Sequence, residues 1–438
     1  MARWTRAQVE QFAPDDKSVK AAQKLARPGP WSETGSTDTL VWGKCQGSGK
    51  TPYQVSVDLT GPAAKCTCPS RKFPCKHGVA LLMLWVAGDG SIDDTTTAAG
   101  FAQDWADDRA DRAAKEKAKA DAPAKAVDPE AAAKRLEKRL GLMTSGAEEF
   151  EMWLTDLYRA GFANARQQSY SFWEQPAARL LDSQLPGLSQ RVRDVPSKLY
   201  GDDWADILLA ETGRWYTAVT AWLRRDELEE DDLANLRVFL GWPVMADDVR
   251  REPAIEDTWV VQGLHRTDDG RLKSQRTWLH GTTTGTQAVL LDFAAAGAFL
   301  ELGHVVGSKV EASLWLYPGS GVRRALLGDT THSPTSGVRL HDPGSVTQAR
   351  DGVAHHIATN PFADQHPICI RAFVSLDAES EKAYIIDANG DRLTLDDDFD
   401  PWPLLARCAD HEVAIFGEFS HGRFLPLTVE VDSELVPV

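Results

Sequence analysis

Four side chains of the kind that bind transition metals lie within twelve residues of this chain. Cys66, Cys68, Cys75 and His77 form the pattern C-x-C-x6-C-x-H. Three thiolates and one imidazole are a ligand set of closed tetrahedral zinc sites, and clustered cysteines in a reducing compartment indicate metal more often than disulfides. The pattern predicts a bound Zn²⁺ with a structural role, because four protein ligands leave no coordination position for water.

The residues around the motif predict how the chain brings the ligands together. Alternating apolar residues predict a strand before the first cysteine pair, at Val55, Val57 and Leu59. Residues two apart in an extended chain face the same side, so the first two sulfurs point to one place. The apolar segment 78–85 predicts a buried helix, and the second ligand pair stands at its entrance. We expect zinc to join the end of a strand to the start of a helix.

This motif resembles the SWIM zinc finger, whose pattern is C-x-C, a variable gap and then C-x-H. The similarity covers about residues 35–87, from a strand pair around 40–42 and 53–59 to the apolar helix after His77. The resemblance implies a β-hairpin followed by a helix, with zinc at the junction, and a role in DNA binding or protein–protein contact. The rest of the chain looks like the long form of bacterial SWIM proteins, a form to which we attach no activity.

Four basic residues surround the predicted ligands, namely Lys65, Arg71, Lys72 and Lys76. One hypothesis makes them a patch that contacts phosphates or a protein partner. The other hypothesis is electrostatic, because one zinc ion and three thiolates leave a net negative charge that nearby cations stabilise. The sequence leaves both hypotheses open.

The charge of the chain is unevenly distributed. The formal net charge of −16 argues against a protein that coats nucleic acid along its whole length. Residues 1–87 nevertheless carry a balance of +6, and the remainder carries −22. This asymmetry indicates that residues 1–87 and the rest of the chain bind different partners, or contact each other.

Composition and periodicity predict an α+β multidomain fold in four parts. Residues 1–87 form the zinc-stabilised hairpin and helix module. Residues 88–127 form a flexible linker, helical at most in part, since 106–126 contain no large aliphatic or aromatic side chain. Residues 128–250 are predicted to be a helical bundle that begins with Asp128 as a helix cap. From about Ile255 the apolar period changes to two, so 251–438 are predicted to be a β-rich domain.

Two local patterns make sharper predictions within these parts. A spacing of three and four residues predicts one helix face shared by Ala178, Leu181, Leu185, Leu188 and Val192. The dipeptide Asn389–Gly390, between two alternating apolar runs, predicts a hairpin turn.

The function predicted from sequence is recognition by the zinc module of DNA or of a protein partner. The alternative is an adaptor that contacts no nucleic acid, and an enzyme site within 255–438 ranks last, because the chain has no G-x-S-x-G or H-E-x-x-H motif. We expect no enzymatic activity and no small-molecule substrate. We also expect a cytoplasmic protein without membrane contact, since no apolar run reaches the roughly 18–20 residues of a membrane helix and no secretory signal is visible.

Overall fold

The structure is a computed structural model that describes residues 4–14, 16–47, 49–59, 63–70, 72–120, 128–269, 272–295, 300, 304–334, 338–377, 383–408 and 411–438. Within these residues it contains 13 α-helices and three β-sheets, which confirms the α+β multidomain fold. None of the described helices combines the length and the apolar character that a membrane span requires.

The N-terminal module is a five-stranded sheet packed against helices. The helices are α1 (Arg6–Phe12), α2 (Asp16–Gln23) and α3 (Lys76–Ala87). The sheet has the order β4-β3-β2-β1-β5, and its strands are β1 (Trp31–Ser36), β2 (Leu40–Cys45), β3 (Tyr53–Asp58), β4 (Ala63–Cys66) and β5 (Asp93–Asp94). Helix α3 is apolar on most sides, and it is therefore buried between the sheet and the first two helices.

The segment 88–127, expected to be a flexible linker, contains a helix whose first turns pack on the sheet, which corrects that expectation for residues 98–106. Helix α4 (Gly100–Ala120) lies on the sheet face opposite α3, where Trp105 is 7% exposed and packs with Ala102 against Leu40 and Trp42. The stretch without large apolar side chains begins only after Trp105, so this indole anchors the helix before that stretch starts. Residues 121–127 lie outside the described residues.

The helical region forms a bundle, as predicted. Its α-helices are α5 (Pro129–Ala160), α6 (Phe162–Arg166), α7 (Tyr170–Asp182), α8 (Pro186–Asp194), α9 (Trp204–Leu223), α10 (Glu230–Leu240) and α11 (Ala246–Val249). Trp173, Trp215 and Trp222 are fully buried in the bundle core, so large aromatic rings supply much of its apolar contact area.

Asp128 caps α5, as its position before Pro129 predicts. Its side chain accepts a hydrogen bond from the backbone N–H of Glu130 at 3.1 Å. We expect Asp128→Ala to lower the free energy of unfolding by about 1 kcal/mol and Asp128→Asn to retain it, because asparagine also caps helices. Urea denaturation monitored by circular dichroism measures both variants. Equal midpoints for the alanine variant and the parent protein would contradict this role.

The next five strands close into a barrel. They are β6 (Ile255–Asp268), β7 (Leu272–Gly281), β8 (Gln287–Ala295), β9 (Ser308–Leu316) and β10 (Arg323–Pro334). Around the barrel the order is β6-β7-β8-β10-β9, and β9 pairs again with β6. The pair β8–β10 is parallel and the other pairs are antiparallel.

A six-stranded antiparallel sheet completes the β-rich part. It has the order β13-β12-β11-β14-β15-β16, and its strands are β11 (His366–Leu376), β12 (Ala383–Ile386), β13 (Arg392–Thr394), β14 (Val413–Ser420), β15 (Arg423–Val431) and β16 (Glu434–Pro437). Helices α12 (Val346–Thr359) and α13 (Trp402–Cys408) pack on it. The turn predicted at Asn389–Gly390 joins β12 to β13.

The zinc module packs directly against the barrel. Val305, just before β9, belongs to the same buried core as Trp4 and Val9 of the module. The side-chain amide of Gln8 also donates a buried hydrogen bond to the carbonyl of Val306 at 3.2 Å. Because the core of the module includes a barrel residue, the module is best studied in the full chain.

Candidate metal centre

The four predicted ligands come together at one point. One ligand atom from each of Cys66, Cys68, Cys75 and His77 lies within 4.8 Å of the others. His77 Nδ1 is 3.7 Å from the sulfur of Cys66 and 3.7 Å from the sulfur of Cys75. In tetrahedral zinc sites, bonds of about 2.3 Å to sulfur and about 2.0 Å to nitrogen place neighbouring ligand atoms about 3.5–3.8 Å apart. These side chains are therefore positioned to bind a zinc ion, which confirms the predicted cofactor.

A strand end and a helix start position the ligands, as the spacing predicts. Cys66 is the last residue of β4 and pairs with Val55 of β3. The N–H of Thr67 donates to the carbonyl of Gln54 at 3.1 Å, which extends the pairing beyond the strand and brings Cys68 to the same side as Cys66. Cys75 is the N-cap residue of α3, in extended conformation at φ −77° and ψ 165°.

The electrostatics of the thiols show why the cluster needs a cation. A hydrogen bond from Cys66 lowers the pKa of Cys75 against the opposing effect of burial, and contacts with His77 and the N–H groups at the start of α3 lower it further. The same contact with Cys75 raises the pKa of Cys66, since two neighbouring thiols cannot both ionise without compensation. A Zn²⁺ ion supplies that compensation and holds the thiols as thiolates.

His77 is held in place by packing that sequence reasoning did not identify. Its side chain is 6% exposed, and its ring lies 5.1 Å from the ring of Tyr53, at the start of β3. Gly78 follows on α3, and a Cβ atom there would lie 3.3 Å from the Cβ of Ala64, so helix and strand approach closely. The sequence does contain a signal for this contact. Tyr53 lies two residues before Val55, which pairs with Cys66, so strand alternation places Tyr53 on the same face of the sheet as Cys66.

Cys45 lies beside the cluster but is not one of its ligands. It is fully buried at the end of β2. Burial raises the pKa of its thiol, while Lys76 lowers it and the thiols of Cys75 and Cys68 raise it further. Cys45 is thus a buried core thiol near the site.

The predicted contact residues flank the ligands in the chain. Lys65 stands next to Cys66 on β4, Lys72 lies in the loop and Lys76 is the first residue of α3, and all three are exposed. Arg71 lies outside the described residues. Among the residues that the structure describes, none forms an ion pair with Lys65 or Lys76. Contact with a partner stays a prediction for all four basic residues.

Two family models match the chain. Residues 53–85 match the SWIM zinc finger, and residues 138–240 match the SWIM-associated four-helix bundle domain. The first range contains all four ligands, and the second lies within the bundle formed by α5 to α10. Comparison with curated proteins and with solved structures gives no match. The matches confirm the resemblance that the spacing of the ligands suggested.

Proposed function

We propose that this SWIM-type zinc finger protein binds nucleic acid through the basic side chains around its metal centre. The observation that carries the proposal is the exposure of Lys65, Lys72 and Lys76 beside the ligands. Exposed amines can neutralise phosphate oxygens, and the release of the cations condensed on the nucleic acid is the main source of such affinity.

The zinc ion has a structural part in this function. Three thiolates and one imidazole complete a tetrahedron, so the ion has no open position at which to activate water. Its part is to fix the end of β4 against the start of α3, which holds Lys65 and Lys76 at a constant separation. We accordingly propose a binding protein and no catalytic role for the metal.

The charge of the whole chain sets the expected strength of binding. The module carries +6 over residues 1–87, but the chain carries −16, so the acidic part repels phosphates beyond the contact region. We expect binding of moderate affinity that depends steeply on salt. Three or four phosphate contacts correspond to a slope of about −3 in a plot of log binding constant against log salt.

A salt titration of the full chain tests the proposal. The binding constants for labelled duplex and single-stranded DNA are measured by fluorescence anisotropy between about 50 and about 200 mM salt. Neutralising Lys65 and Lys76 with glutamine should weaken binding and reduce the slope by about 0.9 for each phosphate that the variant no longer neutralises.

Lys134→Gln is the matched control, because Lys134 is an exposed lysine on α5, outside the module. It should leave both the affinity and the slope unchanged. Absence of DNA binding at the lowest salt, or equal slopes for the parent protein and the module variant, would overturn the proposal.

A protein partner on the same basic surface is the second candidate. The observation in its favour is the balance of −22 outside residues 1–87, which repels a long polyanion such as nucleic acid more strongly than a short acidic peptide. This candidate predicts no DNA binding, together with a partner that the Lys65→Gln, Lys76→Gln variant loses.

A further inference from the structure

The barrel has the strand order of a fold that binds ligands on a defined face. Its first three strands are neighbours in sequence order, its fifth strand β10 runs parallel to its third strand β8, and its fourth strand β9 closes on the first. This is the order of the OB fold, which binds oligonucleotides and oligosaccharides on strands 2 and 3 and on the loop between strands 4 and 5. A fold alone assigns no function, because ligand binding depends on the side chains present on that face.

Strand register brings arginines and apolar residues together on this face. Directly paired residues point to the same side of a sheet. The pairings of β7 with β8 and of β8 with β10 therefore align the side chains of Arg276, Trp278, Val289, Leu291 and Arg324. The shared side is the outside of the barrel, because the ring of Trp278 packs edge-on against Phe416 of the C-terminal sheet at 6.5 Å.

A cleft of about 480 Å³ lies over this face. Its other walls are the segment 241–244 that follows α10 and the segment 360–365 that precedes β11, and the β9–β10 loop forms one end. Three parts of the chain thus enclose it, at the face where the strand order predicts a ligand. Its volume lies within the roughly 300–1,000 Å³ typical of small-molecule sites.

The cleft is positively charged in an acidic protein. The charged residues that line it, among those the structure describes, are Arg191, Arg276, Arg323, Arg324 and Asp364. Two of the arginines are neutralised, since Arg191 donates two hydrogen bonds of 2.7 Å to Asp364 and Arg276 pairs with buried Glu418. Arg323 and Arg324 form no ion pair with any described residue.

Arg324 is held with an unused donor. Its guanidinium lies 4.6 Å from the centre of the Tyr317 ring, which fixes the plane of the group. Its Nε is buried and has no hydrogen-bond partner among the described residues. Burial raises the pKa of Asp292, and the charge of Arg324 acts to lower it, but the two side chains form no ion pair. Because this Nε is closed to a ligand, the terminal Nη groups are the donors that a ligand in the cleft can reach, and they form no hydrogen bond with a described residue. A planar guanidinium matches the oxygens of a phosphate group.

We propose that this cleft binds a phosphate-bearing ligand of nucleotide size, either as a free nucleotide or as one nucleotide of a single strand. Arg324 contacts the phosphate, and Arg323, which pairs with Ala288 and therefore points to the other side of β10, adds positive charge at the end of the cleft. Val289 and Leu291 lie beside Arg324 on the outer face of the barrel and offer apolar contact to the base. The site shares no residue with the metal centre, so it goes beyond the function proposed for the zinc module.

The test uses the full chain with Lys65→Gln and Lys76→Gln, so that binding at the zinc module does not contribute. The probes are a fluorescent AMP derivative and a labelled thymidine strand of about ten nucleotides. Anisotropy and intrinsic tryptophan fluorescence report binding, since Trp242 and Trp278 line the cleft. We expect saturable binding of at least one probe. If the thymidine oligonucleotide binds more tightly than the AMP derivative, the ligand is single-stranded nucleic acid. If it binds equally or more weakly, the ligand is a free nucleotide.

The arginine variants decide whether the cleft is the site. Arg324→Gln should weaken binding at least about tenfold, Arg323→Gln should weaken it less, and Arg324→Lys should lie between the parent and Arg324→Gln. Arg159→Gln is the control, because Arg159 is exposed on α5 and does not line the cleft. Thermal unfolding of each variant confirms that it folds. Binding of neither probe, or equal binding by the parent and Arg324→Gln proteins, would overturn the proposal.

Discussion

Cys75→Ser is expected to abolish zinc binding and to unfold the N-terminal module. Cys75 is 4% exposed and combines two tasks, since it is a metal ligand and the N-cap residue of α3. Structural zinc sites supply about 10–16 kcal/mol of apparent folding free energy in small domains. The module holds a modest core, so a loss of that size exceeds its stability.

Metal content and limited proteolysis of the full chain measure this effect. The parent protein should retain zinc and resist cleavage within residues 1–87, while the variant should lose zinc and be cleaved there. Cys45→Ala is the matched control, because Cys45 is a buried thiol of the same core that is not a ligand. Cys75→Ser protein that kept its zinc and its protease resistance would refute the structural role of the metal.

Glu418→Gln is expected to lower the free energy of unfolding by about 3 kcal/mol, the second largest effect, because it leaves Arg276, whose side chain is only 19% exposed, without its counter-charge. Glu418 is 3% exposed on β14 and joins the C-terminal sheet to the barrel. One carboxylate oxygen accepts from Arg276 Nε and Trp278 Nε1, each at 2.8 Å. The other accepts from Arg276 Nη2 at 2.6 Å and is 2.9 Å from His265 Nδ1.

The same carboxylate predicts a pH dependence of stability. Burial acts to raise the pKa of Glu418, but hydrogen bonds from Arg276, together with the contact with His265 Nδ1, outweigh it and lower the pKa to about 2. A carboxyl group whose pKa is lowered by folding stabilises the protein above its ordinary pKa of about 4.3. That contribution is lost as the pH falls from this value towards 2.

Chemical denaturation at several pH values measures both effects. The difference in unfolding free energy between the parent and Glu418→Gln should be largest near neutral pH and should shrink below about pH 4. Glu311→Gln is the control, because Glu311 is an exposed glutamate on β9 of the same barrel. If the unfolding free energies of the parent and Glu418→Gln differ by less than about 1 kcal/mol at neutral pH, Glu418 does not stabilise the contact between the C-terminal sheet and the barrel.

The metal centre was predictable because its determinants are local in the chain. Cys66 and Cys68 need only an extended backbone to face one way, and Cys75 and His77 need only the start of a helix. Both conditions follow from the apolar pattern of fewer than 35 residues, and the structure places the four ligand atoms together.

Features that depend on distant contacts were not predictable in this way. The burial of Trp105 against β2 requires knowledge of the opposite face of the sheet, and a linker was therefore expected. The joint at Glu418 links residues about 140 positions apart, and the arginine cleft exists only once three parts of the chain meet. The hydrophobic periodicity of one segment does not predict which distant segment it will contact.

One helix prediction failed for a local reason. The spacing from Ala178 to Val192 suggested a single helix face, but α7 ends at Asp182 and α8 begins at Pro186. Gln184 adopts a positive φ of 63°, which ends the first helix, and Leu181 is 46% exposed. Apolar spacing alone did not reveal the break between α7 and α8, because Leu185 and Leu188, which follow the break, keep the spacing of three and four residues.

X-ray absorption at the zinc edge, on full-length protein purified without chelator, tests the central claim most directly. The ligand set predicts one zinc ion for each chain, with three sulfur atoms at about 2.3 Å and one nitrogen atom at about 2.0 Å. Absence of metal, or a first coordination shell with fewer than three sulfur atoms, would contradict the claim that these four residues close on a structural zinc ion.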